Sequence, residues 1–156
     1  MLARKTTRTL FASHSWASLS TTTASSEPVA AITSLLSGWS VEITPSQAKK
    51  VRDFADVPGL ARGSGVSVTN LVGADSADTV ALCARLVEAG LAPTAHVPAR
   101  SFRTVAEADD FLARLEAVGV TEALVLAGGA SAPAGELTEA MDVLESGALQ
   151  RRGFTR

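Results

Sequence analysis

The sequence predicts an α/β fold of about four βα units around a parallel sheet, and three observations predict it. Segments of two-residue alternation take turns with segments of helical period from residue 28 onward. Arg85-Leu86-Val87-Glu88-Ala89-Gly90 and Arg114-Leu115-Glu116-Ala117-Val118-Gly119 precede two successive strands, and from Arg85 to Arg114 the offset is 29 residues. The stretch Ala123-Leu124-Val125-Leu126-Ala127 is apolar on both faces, which buried parallel strands are and antiparallel strands rarely are. A (β/α)₈ barrel has ~31 residues per unit. A doubly wound sheet has similar units, so the spacing alone leaves both architectures open.

The elements follow in order. Pro28–Leu36 is a short apolar helix, with proline at its start and Gly38 after its end. Trp39 to Thr44 alternates strictly: Trp39, Val41 and Ile43 on one face, Ser40, Glu42 and Thr44 on the other, with Pro45 as the stop. A short helix is expected over Gln47–Phe54. The second strand is Gly65–Thr69. The helix after it takes Asp75 or Ser76 as N-cap and shows Val80, Cys83, Ala84 and Val87 at i, i+3, i+4, i+7. Gly90 ends it. The third strand is Pro93–Val97. The next helix opens on Thr104-Val105-Ala106-Glu107, a capping box, with an apolar stripe of Ala108, Phe111, Leu112 and Leu115. After the strand at 123–127, Gly128-Gly129 makes a break, and a last helix covers Leu137–Glu145 up to Gly147.

Charge separates the chain into two parts. Residues 1–26 hold Arg4, Lys5 and Arg8 and no acid. Of 14 basic and 16 acidic residues, 11 and 16 remain after that leader, a balance of −5. An acidic body excludes nucleic acid as a partner, because phosphate binding needs a basic patch. The leader is rich in Ser and Thr, which fits an organelle transit peptide or a disordered tail. A transit peptide implies a mitochondrial location; without one, a cytoplasmic location is expected. No apolar run approaches the ~18–20 residues of a membrane helix. Cys83 is the single cysteine, and His14 and His96 lie far apart, so no metal site is expected.

Three strands place a polar residue at or near their C-terminal ends: Glu42, Thr69 and His96. In parallel α/β folds chemistry gathers there. A carboxylate among apolar strand neighbours is costly unless paired or used, and burial would favour its protonated form, a proton donor. A Glu facing water or paired with an Arg is the alternative. A satisfied histidine and an ordinary strand threonine are the alternatives for His96 and Thr69. The Gly128-Gly129 turn offers backbone N–H groups to a phosphate, or supplies a positive φ. Neither GxGxxG nor GxxxxGK[ST] occurs.

In this order and spacing the segments resemble methylenetetrahydrofolate reductases, over about residues 30–156. Val41-Glu42-Ile43-Thr44-Pro45 is similar to the family's Phe-Glu-Phe-Phe-Pro first strand. Val66-Ser67-Val68-Thr69 matches its Val-Ser-Val-Thr second strand, Ala95-His96-Val97 resembles the third, and Ala123–Gly128 the fourth. The resemblance implies a partial TIM barrel, about four βα units of a (β/α)₈ barrel, in which residues 1–27 are a leader and residues 28–156 are the N-terminal half of a reductase-like domain. It implies reduction of methylenetetrahydrofolate to methyltetrahydrofolate with FAD as cofactor and NAD(P)H as reductant. Glu42 would protonate a folate nitrogen, and Thr69, His96 and Gly128 would contact FAD. The family's Arg-Gly-Asp after strand four is Ala127-Gly128-Gly129 here, and Asn70 replaces an aromatic residue. Four strands do not close an eight-stranded barrel. The expected partners are therefore a folate substrate and either a second copy or another half-barrel. A non-catalytic half-barrel module and a flavin-free folate-binding barrel are the alternatives to the enzyme.

Overall fold

The computed structural model describes residues 26–35 and 37–155. The expected leader lies outside the described residues as far as residue 25. The first helix, expected over Pro28–Leu36, is α1 (Ser26–Leu35), which belongs to the first of two compact units. The second unit starts at Ser37.

In the second unit four strands form one sheet, β1 (Ser40–Ile43), β2 (Gly65–Val68), β3 (Ala92–Pro98) and β4 (Glu122–Leu126). They lie in sequential order and every neighbouring pair is parallel. This is the predicted α/β arrangement, and it is compatible with part of a barrel. Residues 45–48, 76–88, 105–117, 140–145 and 148–151 form the helices α2 to α6.

Alternation decides which face of the sheet is covered. Val66, Val68, Ala95, Val97 and Ala123 are buried in one cluster with Leu82 and Leu86 of α3 and Phe111, Leu112 and Leu115 of α4. Val41 and Ile43 pack against the same cluster. The opposite face carries Glu42, Ser67, Thr69, Thr94, His96, Glu122 and Leu124. There Leu124 is 48% exposed, although the sequence suggested a strand buried on both sides. Among the described residues of this unit, helices cover only one side of the sheet, and Leu124 stands on the other.

The stripe on α4 is the predicted one, Ala108, Phe111, Leu112 and Leu115. Its N-terminus departs from the expected capping box. Thr104 accepts from the Glu107 N–H at 3.2 Å, but the Glu107 carboxylate accepts from the N–H of Arg103, one residue before the cap. On α3, capped by Asp75, the buried side chains are Thr79, Leu82, Cys83 and Leu86, rotated one position from the expected Val80, Cys83, Ala84 and Val87. The rotation brings two leucines and a threonine inward in place of an alanine and two valines, which buries the larger side chains.

The helix expected over Gln47–Phe54 is only Pro45–Ala48, opened by a Thr44–Gln47 capping box. Arg85 explains where it stops. Its guanidinium donates to the carbonyls of Ala48 (3.2 Å) and Val51 (2.7 Å) and stacks 5.0 Å over the Phe54 ring. Those carbonyls are thereby satisfied without further helix. The last predicted helix starts at Ala140 rather than Leu137, because Asp142 accepts from the N–H groups of Thr138 and Glu139 and fixes the first turn there. Leu137 is buried as a core side chain of the preceding loop. Past Gly147, at φ +70°, the short α6 was not foreseen.

Salt bridges and loop bonds join neighbouring units. Arg152 of the turn after α6 holds Asp109 (2.6 Å) and Glu116 (3.3 Å) of α4. Arg114 of α4 donates to the Ser76 hydroxyl of α3 at 3.0 Å. Glu136, in the loop after β4, accepts from the Val105 N–H in the first turn of α4 at 3.1 Å.

Candidate functional site

The sheet register assembles the polar face. Glu42, Ser67, Thr94 and Glu122 are lateral neighbours in one row. One pleat further toward the strand C-termini, His96 pairs with Leu124. Thr69 follows Val68, the partner of Ala95, and its N–H continues the ladder to the Ile43 carbonyl at 3.0 Å. Thr69 and His96 are therefore neighbours in the upper row, above Glu42. The strand period fixes this: the residues flanking each of the three, Val41, Ile43, Val68, Ala95 and Val97, point to the helices.

Glu42 Oε2 lies 4.0 Å from His96 Nε2. The two groups differ in environment. The Glu42 side chain is 63% exposed, whereas His96 is 8% exposed. The carboxylate is thus open to water rather than enclosed, because nothing among the described residues of this unit covers the face above it. Two buried atoms of the site, His96 Nε2 and Thr69 Oγ1, have no hydrogen-bond partner. Buried polar atoms are nearly always satisfied, so a pair of orphans on one face marks a place that a water or ligand would complete.

The lower row is partly closed on itself. Thr94 Oγ1 donates to Glu122 Oε2 at 3.0 Å. Ser67, Thr94 and Glu122 were not singled out in the sequence, although the alternation within their strands carried the signal. Above the strand ends, the loops after β2, β3 and β4 enclose a cleft of about 480 Å³, lined among others by Asn70, Asp75, Arg100 and Glu107. Arg100 fixes its far wall. Its Nε donates to the Thr138 carbonyl (2.8 Å) and its Nη1 to that of Ala130 (3.3 Å), while its backbone N–H donates to Ala127 (2.9 Å). No motif in the sequence pointed to Arg100.

Gly128 stands at the end of β4 with φ +94°, and a Cβ there would meet Pro98 Cβ at 2.9 Å. Both facts require glycine for the turn itself. Gly129 has no such requirement, since a Cβ would find only Val72 Cγ2 at 3.8 Å. Cys83 sits at the base of the core, and burial pushes its thiol up to about 12. It is a packing residue rather than a nucleophile.

No protein-family model matches the sequence. Among the described residues no cluster of His, Cys, Asp or Glu could hold a metal ion, and no helix is long and apolar enough to cross a membrane.

Proposed function

We propose that the open polar face is half of a folate site, and that the chain serves a methylenetetrahydrofolate reductase-like reaction with NAD(P)H. The observation that carries the reading is the meeting of Glu42 and His96 at 4.0 Å beside the unsatisfied Thr69 hydroxyl. Those are three of the four residues to which the family resemblance gives roles, Gly128 being the fourth.

The resemblance also implies FAD. Thr69 Oγ1 and His96 Nε2 suit its polar atoms, being buried donors or acceptors without partners. The Gly128 backbone would be the third contact. Ala127 and Gly129 supply neither the cation nor the acceptor that the family has there. When bound, the flavin would carry hydride from NAD(P)H to the folate methylene carbon. The work left to this chain is to hold the folate and deliver a proton. Glu42 would present a proton to a folate nitrogen lying on the face, and His96, 4.0 Å away, would orient the same carboxyl. Both roles need water excluded, since desolvation favours the protonated carboxyl. The face must therefore be covered when the reaction runs. Two smaller readings draw on Gly129, which stands where the family has Asp: a half-barrel module without catalysis, and a flavin-free folate binder.

The test is titration of the purified protein with methyltetrahydrofolate by calorimetry, alongside NAD(P)H oxidation with methylenetetrahydrofolate and added FAD. Binding that weakens in Thr69→Val and His96→Phe supports the reading. Glu42→Gln should then lower folate reduction by about 10²-fold or more while flavin reduction by NAD(P)H survives. Absence of folate binding in the wild-type chain, or equal loss of both half-reactions, would refute it.

A further inference from the structure

Arg85 holds the chain after α2 through two backbone carbonyls, which supply dipoles but no opposite charge. Two more arginines join it. Arg52, Arg62 and Arg85, from three separate stretches of the chain, line one cleft of about 420 Å³ together with Asp53, Phe54 and Glu88. Arg62 stands three residues before β2 and Ala89 three before β3, so the cleft lies at the N-terminal ends of those strands. Packing sets where the cations stand. The Arg62 guanidinium lies against the Gly90 backbone: a Cβ there would meet Cζ at 2.6 Å, and Gly90 has φ +76°. Arg85 stacks over Phe54 and spends one N–H on each of two carbonyls, which leaves the rest of its donors unused. Arg52 and Arg62 are exposed, and their side chains make no hydrogen bond or ion pair among the described residues.

The acids of the cleft do not neutralise these charges. Asp53 accepts from the Ala55 N–H at 2.9 Å, and neither Asp53 nor Glu88 forms an ion pair with any of the three arginines. The carbonyl end of α3 carries only about half a negative charge, enough to account for one neighbouring cation and not for three. Three arginines against two acids leave the cleft positive, in a chain that is acidic beyond residue 26. Like charges gathered against a protein wall repel unless an anion offsets them. We infer that this cleft binds a compact phosphate anion, with Arg85 as its fixed fork and Arg52 and Arg62 as the exposed pair that closes on it. Guanidinium forks match phosphate oxygens two at a time. Two carboxylates in the same wall disfavour an extended polyanion such as nucleic acid. Chemistry in parallel α/β folds gathers at the other ends of the strands, so the anion is an effector or anchor and is not turned over. The inference does not depend on the folate reading: folate binding can fail with this site intact, and the reverse.

Calorimetric titration of the full chain with pyrophosphate at low ionic strength tests it. One saturable site per chain is expected. Arg52→Gln and Arg62→Gln change exposed side chains, and circular dichroism should stay that of the native chain. Each should weaken binding by about tenfold or more, the loss of a charge-assisted pair. Arg103→Gln, at an exposed arginine outside the cleft, should leave binding unchanged. Inorganic phosphate and ribose 5-phosphate, titrated beside it, separate the two sources: tighter binding of the sugar phosphate assigns the site to a phosphorylated metabolite, and tighter binding of phosphate to the free anion. No saturable binding at millimolar pyrophosphate would overturn the inference. So would a variant lacking both Arg52 and Arg62 that binds like the wild type, or an equal loss in Arg103→Gln, which would reduce the effect to the general field of the protein.

Discussion

Adjacent glycines after β4 should respond oppositely to the same substitution. At Gly128, alanine must adopt φ near +94°, which costs an L-residue about 1–2 kcal/mol. Its Cβ would also lie 2.9 Å from Pro98 Cβ and 3.6 Å from Pro98 Cα. Pro98 is fully buried at the end of β3, and its ring has no rotamer that escapes. Overpacking of that kind costs about 1–3 kcal/mol. Gly128→Ala should therefore destabilise by about 2–5 kcal/mol, a large part of a typical domain's 5–15 kcal/mol or so. At Gly129 the backbone needs no positive φ and the new Cβ makes only an ordinary contact at 3.8 Å. Gly129→Ala should be neutral or stabilising by up to about 1 kcal/mol, because alanine restricts the unfolded chain. Urea unfolding of the two variants beside the wild type measures both. A Gly128→Ala change below about 1 kcal/mol, or equal changes at both positions, would show that Gly128 is not held by this turn. In that case its glycine would have to be explained by a ligand approaching the backbone.

Other expectations follow from the core and the ion pairs. Leu112→Ala, at a fully buried site between α4 and the sheet, should cost about 2–5 kcal/mol by calorimetric or urea unfolding. The Arg152 guanidinium hydrogen-bonded to Asp109 holds that carboxyl below the usual aspartate range. The bond's stabilisation is thus present above the ordinary aspartate value of about 3.9 and is lost as pH falls from there through the lowered folded value. Asp109→Asn should remove that part of the acid sensitivity when urea midpoints are compared across pH. Cys83, with its thiol pushed up to about 12 by burial, should resist a thiol reagent in the native state and react on unfolding. Rapid native labelling would contradict the buried placement.

Much of the framework was legible because it rests on period. The four strands, their parallel order and the α4 stripe follow from alternation and spacing, and so does the common face of Glu42, Thr69 and His96. What sequence could not supply was burial. Glu42 reads as a strand carboxylate between apolar neighbours, yet it is mostly exposed, because a sheet covered on one side gives its alternate residues to water. The rotation of α3 was missed because Val80, Ala84 and Val87 satisfy the same spacing as the true set. Only the larger volumes of Leu82 and Leu86 decide between them. The short α2 was missed because the segment after it is held by a long-range residue: Arg85, 37 residues from Ala48, binds the Ala48 carbonyl, which also accepts from Val51 in a tighter turn, and the Val51 carbonyl. Arg100 left no trace for a similar reason, since it is bonded to backbone carbonyls, which carry no side-chain signature.

The bonds between neighbouring units bear on how such a chain can change over generations. The first turn of α4 relies on Glu136 from the following loop, α3 reaches back through Arg85 to the segment before β2, and α4 reaches α3 through Arg114. Each unit thus completes a polar group in its neighbour. A βα unit exchanged, duplicated or deleted as a cassette would strand a backbone N–H or carbonyl in the unit beside it. Recombination at the unit boundaries is thereby penalised despite the repeat in the sequence. Hydrogen exchange should accordingly find α3 and α4 opening together rather than one after the other.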